Sequence, residues 1–179
     1  MFEKLKRRAL RKHIDRNLGK RDRSEVNAPM KTLGFVVDER LLQDFEKLYD
    51  LAGYFHIHPN DVSVFSFLEV KKKQPSLRQN QVNNKHFTWK GDLHNQNAAE
   101  FLNRRFDVLV GFYAEENVYM DLLVSESEAK FKVGFSGADD RLFDLVLGMA
   151  PNDFNEFKKE LKKYLEVLGK IEAQTSVTT

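Results

Sequence analysis

The chain of 179 residues contains no cysteine, which excludes disulfides, thiolate nucleophiles and cysteine zinc sites. It also lacks any stretch near the ~18 to 20 uninterrupted apolar residues that a membrane span requires. The opening residues, MFEKLKRRALRKHIDRN, have no apolar segment of the kind a secretory signal carries, and this points to the cytoplasm. Absent too are GxSxG, HExxH, a P-loop and the spacing of a dinucleotide fingerprint, so no motif by itself argues for an enzyme or a cofactor. What is present is 41 % hydrophobic and 12 % aromatic residues, enough for one sizeable core at this length and too little for two.

The net charge of +2 conceals an asymmetry. Residues 1–23 hold ten Lys or Arg against Glu3, Asp15 and Asp22, a local +7 that leaves −5 on the rest. Within this segment Phe2, Leu5, Ala9, Ile14 and Leu18 recur at intervals of three to five, the spacing of an amphipathic helix that ends near Gly19. Residues 24–31 have no periodicity and contain Pro29. A basic helical arm at 1–23, a linker at 24–31, a body at 32–172 and a disordered tail at 173–179 are therefore expected.

TLGFVVDE at 32–39 and VSVFSFLEV at 62–70 are short apolar runs rich in β-branched residues, read as buried strands. Between them Leu41, Leu42, Phe45, Leu48, Tyr49, Ala52 and Phe55 keep helical spacing, with Asp38 placed to cap the helix, which gives a βαβ unit. Residues 71–84 are polar and patternless, a surface loop or flap, and HFTW at 86–89 suggests a short strand before a brief helix at 98–104. FDVLVGF at 106–112, a helix at 117–128 and AKFKVGF at 129–135 form a second βαβ unit, and LFDLVLGM at 142–149 is the last strand. Pro151, Asn152 and Asp153 then open a helix at 152–171, with Phe154, Phe157, Leu161, Tyr164, Leu165, Leu168 and Ile171 on one face. The predicted class is α/β: a three-layer, mostly parallel, Rossmann-like sheet of five or six strands with helices on both faces, preceded by the basic helix.

The basic helix is the feature furthest from average. Lys4, Arg7, Arg8, Arg11, Lys12 and Arg16 form a cationic face able to bridge phosphates without reading bases. Lys71, Lys72, Lys73 and Arg78 extend it, and Trp89 adds a ring for stacking. RNA or the ribosome is the expected partner, and Phe2 and Leu5 leave an anionic membrane surface open as well.

Asp38, Glu39, Glu115 and Glu116 follow the carboxyl ends of two strands, the edge where open α/β sheets bind ligands. Paired carboxylates there serve as acid and base or hold a divalent ion, or they act as helix caps. His56 and His58, with Asp61 nearby and Asp92, His86 and His94 further on, have no third ligand at a diagnostic spacing, so no metal is expected. Gly134 and Gly137 in GFSG read as a turn.

The segments FDVLVGFYAEENVYMDLLVSESEAKFKVGF and LFDLVLGMAPNDFNEFKKELKKYLEVL, behind a basic N-terminal stretch, resemble an uncharacterised family of small Bacteroidota proteins over nearly the whole chain, most strongly at AKFKVG. That resemblance implies no activity. FDVLVGF followed by SEAKFKVGF is also similar in order and spacing to the acceptor lobe of heptosyltransferase-type glycosyltransferases, although Gly111 and Phe112 stand where that pattern has its acidic strand end. Two functions follow as expectations. The first is a non-enzymatic α/β binding module whose basic helix docks on RNA or the ribosome. The second is an enzyme, or enzyme relic, of sugar or nucleotide transfer with its site at the carboxyl ends of the strands.

Overall fold

Leu33–Asp38 (β1) and Val108–Phe112 (β4) run parallel at the middle of a six-stranded sheet in a computed structural model that describes residues 1–173. The other strands are β2 (Val62–Leu68), β3 (Gln81–Asn83), β5 (Lys132–Phe135) and β6 (Leu145–Leu147). Their order is β3-β2-β1-β4-β5-β6, and every neighbouring pair is parallel. This is the doubly wound order of a Rossmann-type sheet. The chain leaves the centre one way from β1 and the other way from β4, so the carboxyl ends of those two strands flank the switch point. Both strands are buried along their whole length, which is why they read as unbroken apolar runs.

The helices are α1 (Phe2–Lys20), α2 (Glu46–Tyr49), α3 (Leu51–Phe55), α4 (Gln96–Asn103), α5 (Val118–Glu126) and α6 (Phe154–Val167). Leu48, Leu51, Phe157, Leu161 and Leu165 of α2, α3 and α6 share one core with the side chains of one sheet face. At its centre the Phe157 ring lies 5.3 Å from Phe112 and 5.4 Å from Phe135. On the opposite face α4 and α5 cover the sheet. Gly134 of β5 lies under the Phe143 ring, where a Cβ would come within 2.6 Å of it, so an aromatic plate covers the sheet there.

Every residue of α5 from Val118 to Val124 is buried. A helix that is apolar all round has to be covered on the side away from its sheet, and α1 supplies the cover. Leu10 and Ile14 of α1 are 0 % and 3 % exposed within the same core. The layering is thus α1 on α5 on the sheet on α6, one layer more than expected, and the basic helix, which the sequence leaves free to pack or to project, is packed on the body. Its buried face runs through Lys6, Leu10 and Ile14, while Phe2 and Leu5, expected in the apolar stripe, are 79 % and 51 % exposed.

Polar bonds hold the following segment down as well. Arg21 forks onto both oxygens of Asp144, and each side chain of this pair is 7 % exposed. Lys170 donates to the carbonyls of Val26 and Ala28, and Met30 N–H donates to the Lys170 carbonyl. Residues 24–31 are therefore a bonded segment, not a free linker.

Other expectations shift for local reasons. The third strand is 81–83, not 86–89, because Gln81 and Asn83 are buried by hydrogen bonds that no hydrophobic period announces. The helix expected after Asp38 begins only at Glu46 and breaks in two near Asp50, and Asp38 instead binds Arg40. The helix expected at 152–171 is α6 at Phe154–Val167, capped by Asp153, which accepts from Glu156 N–H at 3.0 Å. The tail expected at 173–179 lies, apart from Ala173, outside the described residues.

Candidate nucleic-acid interface

Because Lys6, Leu10 and Ile14 turn inward at intervals of four, Lys4, Arg8, Lys12 and Arg16 turn outward. All four are exposed, and none has an anionic partner among the described residues. The inner cations are engaged. Lys6 is 8 % exposed, donates to the Asn84 carbonyl at 2.6 Å and lies over the Tyr119 ring, and burial lowers its pKa. The Arg7 guanidinium lies 5.8 Å from the same ring, and Arg11 donates to Glu116 at 2.7 Å.

Two distant segments are tied to this helix. Val70 N–H donates to Asn84 Oδ1 and Asn84 Nδ2 donates back to the Val70 carbonyl, while the backbone of Asn84 receives Lys6. Lys71, Lys72 and Lys73, all exposed, start one residue beyond that junction. Residues 86–94 form a hairpin closed by Thr88 N–H to Asp92 O and His94 N–H to His86 O. At its turn Gly91 adopts φ of 92°, and a Cβ there would come within 3.0 to 3.2 Å of His13 and the Ala9 backbone. The hairpin is seated on α1 by that absence of a side chain, and it carries Trp89, 61 % exposed, with Lys90 over its ring. Lys90 escaped the sequence reading. The turn signal in TWKGDL, a glycine between Phe87 and Leu93, would have marked a hairpin there.

Of the carboxylates at the strand ends, Asp38 and Glu115 both act on Arg40, while Glu39 and Glu116 take other arginines. Asp38 is 1 % exposed and takes a fork from Arg40, whose Nη2 lies 2.8 Å from Oδ2. Glu39 Oε1 accepts from Ser66, Gln81 and Arg78, tying β1 to β2, β3 and the 71–80 loop. Arg78, expected on the basic surface, stays exposed but has its charge answered by Glu39, and it stacks 4.7 Å from the Phe45 ring centre. Glu115 sits in the left-handed region at φ of 64°, and Glu116 pairs with Arg11. His58 accepts Asn60 N–H, and His86 accepts Asn83 N–H. Among the described residues no group of three or more His, Asp or Glu could hold a metal ion.

A pair that sequence reading missed lies beside Glu116. The Tyr113 hydroxyl donates to Asp121 Oδ1 at 2.5 Å, and Asp121 is 4 % exposed. Burial pushes the Asp121 carboxyl up to about 6, with the charges of Asp139 and Glu116 adding to the shift and the Tyr113 hydrogen bond opposing it. Its sequence signal is slight: one acid inside the apolar run YMDLLV reads as the polar face of a helix.

Fold and surface together define a doubly wound α/β protein with a basic helix laid over one helical layer. Residues 6–168 match the model of DUF6913, a family of unknown function, and the chain belongs to that family. No curated protein and no solved structure matches it. Among the described residues no helix is long and apolar enough to cross a membrane.

Proposed function

We propose that the outer face of α1, with the 71–73 loop and the Trp89 turn, binds RNA through its phosphates. The observation that carries this reading is the division of the cations on α1. Lys6, Arg7 and Arg11 are engaged within the protein, while Lys4, Arg8, Lys12 and Arg16 share the solvent face with no anion to neutralise them among the described residues. Unpaired cations on a helix held rigid by its buried face present a fixed ridge of positive charge, and phosphate contacts of this kind set affinity without reading sequence. Trp89 is the sole tryptophan and offers an exposed ring to a base.

Titration of the full chain with single-stranded RNA, followed by Trp89 fluorescence, tests the reading. Four neutralised phosphates correspond to a log–log salt slope of about −3. The triple variant Arg8→Glu, Lys12→Glu, Arg16→Glu should abolish binding while its melting temperature stays that of a folded protein. Affinity that ignores salt and survives the triple variant overturns the reading.

Exposed Phe2 and Leu5 favour an anionic membrane surface as the second reading. Vesicles rich in phosphatidylserine separate the two, because Phe2→Ser with Leu5→Ser should release vesicles and leave RNA binding intact. A transfer enzyme working through Asp38 and Glu39 draws less support, since both carboxylates are occupied by arginines.

A further inference from the structure

Between α1 and the carboxyl ends of β4 and β5 lies a cavity of about 450 Å³. Four carboxylates line it: Asp15, Glu116, Asp121 and Asp139. Three have cationic partners, since Arg11 pairs with Glu116 and Arg141 pairs with both Asp139 and Asp15. Asp121 is the exception. It is the most deeply buried of the four at 4 % exposure, and no Lys, Arg or His forms an ion pair with it among the described residues. Its Oδ1 accepts the Tyr113 hydroxyl, whereas Oδ2 has no hydrogen-bond partner there. Asp121 nonetheless lines the cavity.

A buried carboxylate without a cation is costly, and proteins otherwise pair such groups or let them take up a proton. The rest of the wall indicates what would relieve it. Ile14, Val118 and Ala138 give the cavity an apolar side beside the acid, suited to methylene groups. We propose that this cavity binds a small ligand bearing a primary ammonium on a short alkyl body, with Asp121 Oδ2 accepting its hydrogen bond. Arg11 and Arg141 answer the other three carboxylates and leave Asp121 as the one without an ion pair. The site stands apart from the RNA reading, since Lys4, Arg8, Lys12 and Arg16 do not line it.

Ligand charge and the Asp121 proton compete, so binding is read on the carboxyl itself. The groups facing it are Tyr113 at the end of β4, Glu116 before α5, Asp139 after β5 and Arg11 from α1, and of these Asp139 and Glu116 raise its pKa together with burial. A carbon-detected NMR titration of the full chain follows the Asp121 midpoint with n-butylammonium chloride and with n-butanol, the uncharged probe of equal length. A tenfold preference of the ammonium for the ionised form lowers the midpoint by about one pH unit. The expected result is that shift at Asp121 with n-butylammonium, none with n-butanol, and none at exposed Asp44. Asp121→Asn should also lose the ammonium-induced shifts of the Gly137 and Ala138 amides. An Asp121 midpoint that stays fixed, that moves equally with n-butanol, or that moves no more than Asp44 overturns the proposal. The titration uses the unaltered chain, so it decides even if Asp121→Asn fails to fold.

Discussion

The two helical layers are built by different means. On the α6 side, three phenylalanine rings from α6, β4 and β5 meet at about 5.3 Å, and the stripe Phe157, Leu161 and Leu165 is closed chiefly by apolar contact, with Lys158 and Lys162 over the Tyr54 ring beside it. On the α1 side, α5 is buried on every face from Val118 to Val124, Asp121 included, and its cover is a helix whose mean character is basic. Leu10 and Ile14 supply the apolar contact, and Lys6 on Asn84, Asn17 on Ser125, Arg11 on Glu116 and Arg21 on Asp144 fix its position. A helix with so thin a stripe is held by directional bonds as much as by burial, and those bonds leave the opposite face free to carry charge.

The largest expected effect comes from removing that cover. Deleting residues 1–23 exposes the outer side of α5 and leaves Asp144 without Arg21. The truncated chain should aggregate or melt far below the full one in calorimetry. A truncated chain that melts like the full one would show that α5 needs no cover, and the comparison would fail. On the other layer, Phe157→Ala removes a ring with 0 % exposure and should cost about 3 to 5 kcal/mol in urea unfolding. Arg21→Met should cost about 3 kcal/mol, at the lower end for a broken buried pair, because Asp144 still accepts Lys132 N–H at 2.8 Å.

These layers were not equally legible in the sequence. On the α6 side the stripe Phe154, Phe157, Leu161 and Leu165 is legible because it repeats with helical period, and β1 and β4 are continuous apolar runs, whereas Leu168, expected on the same face, is 49 % exposed and the helix expected after Asp38 is split into α2 and α3. The α1 side was misjudged because its position depends on Lys6 and Arg21, and a cation in a basic run gives no sign that it will be buried. The polar strand β3 was missed for the same reason: Gln81 and Asn83 are buried through partners 42 and 9 residues away. The outward cations of the candidate interface were named from the sequence, but so were Arg7 and Arg11, since periodicity ranks faces only once the buried one is known. Asp121 could not be singled out, because its environment is assembled from β4, α1 and the loop after β5.

Two buried charges on the α5 side, Asp121 and Lys132, whose Nζ donates to the Val124 carbonyl, act in opposite pH windows. The Asp121 carboxyl is raised to about 6 from 3.8, so between those values the folded state binds more protons than the unfolded one and stability falls as pH rises through the window. The loss amounts to about 3 kcal/mol at most, roughly two units at 1.36 kcal/mol each. Lys132 is lowered to about 7 from 10.5, chiefly by burial and then by Arg21, so the unfolded state binds more protons above 7 and stability rises with pH there. Asp121→Asn keeps an acceptor for the Tyr113 hydroxyl and should flatten the acid-side slope without touching the alkaline one. Urea midpoints measured from pH 4 to 10 for both chains check this. An unchanged acid slope in the variant would mean that Asp121 titrates normally.

The smallest effect tests why the solvent face of α1 is as basic as it is. Arg8, Lys12 and Arg16 are exposed and follow one another at intervals of four, so each neighbouring pair repels by a few tenths of a kcal/mol. Lys12→Glu turns both repulsions into attractions and alters no buried contact. The better attraction is the one with Arg16, where the acid stands on the N-terminal side of the base. The substitution should therefore stabilise the protein by roughly 0.5 to 1 kcal/mol, seen as a higher urea midpoint with an unchanged slope. The same substitution should weaken RNA binding and make the salt dependence shallower by about 1.4, since one phosphate contact is lost and a second is opposed. Residues that oppose stability where they stand and favour a partner are what selection for binding leaves behind. If Lys12→Glu stabilises the chain and leaves RNA affinity and its salt slope unchanged, the cations of this face serve something other than phosphate.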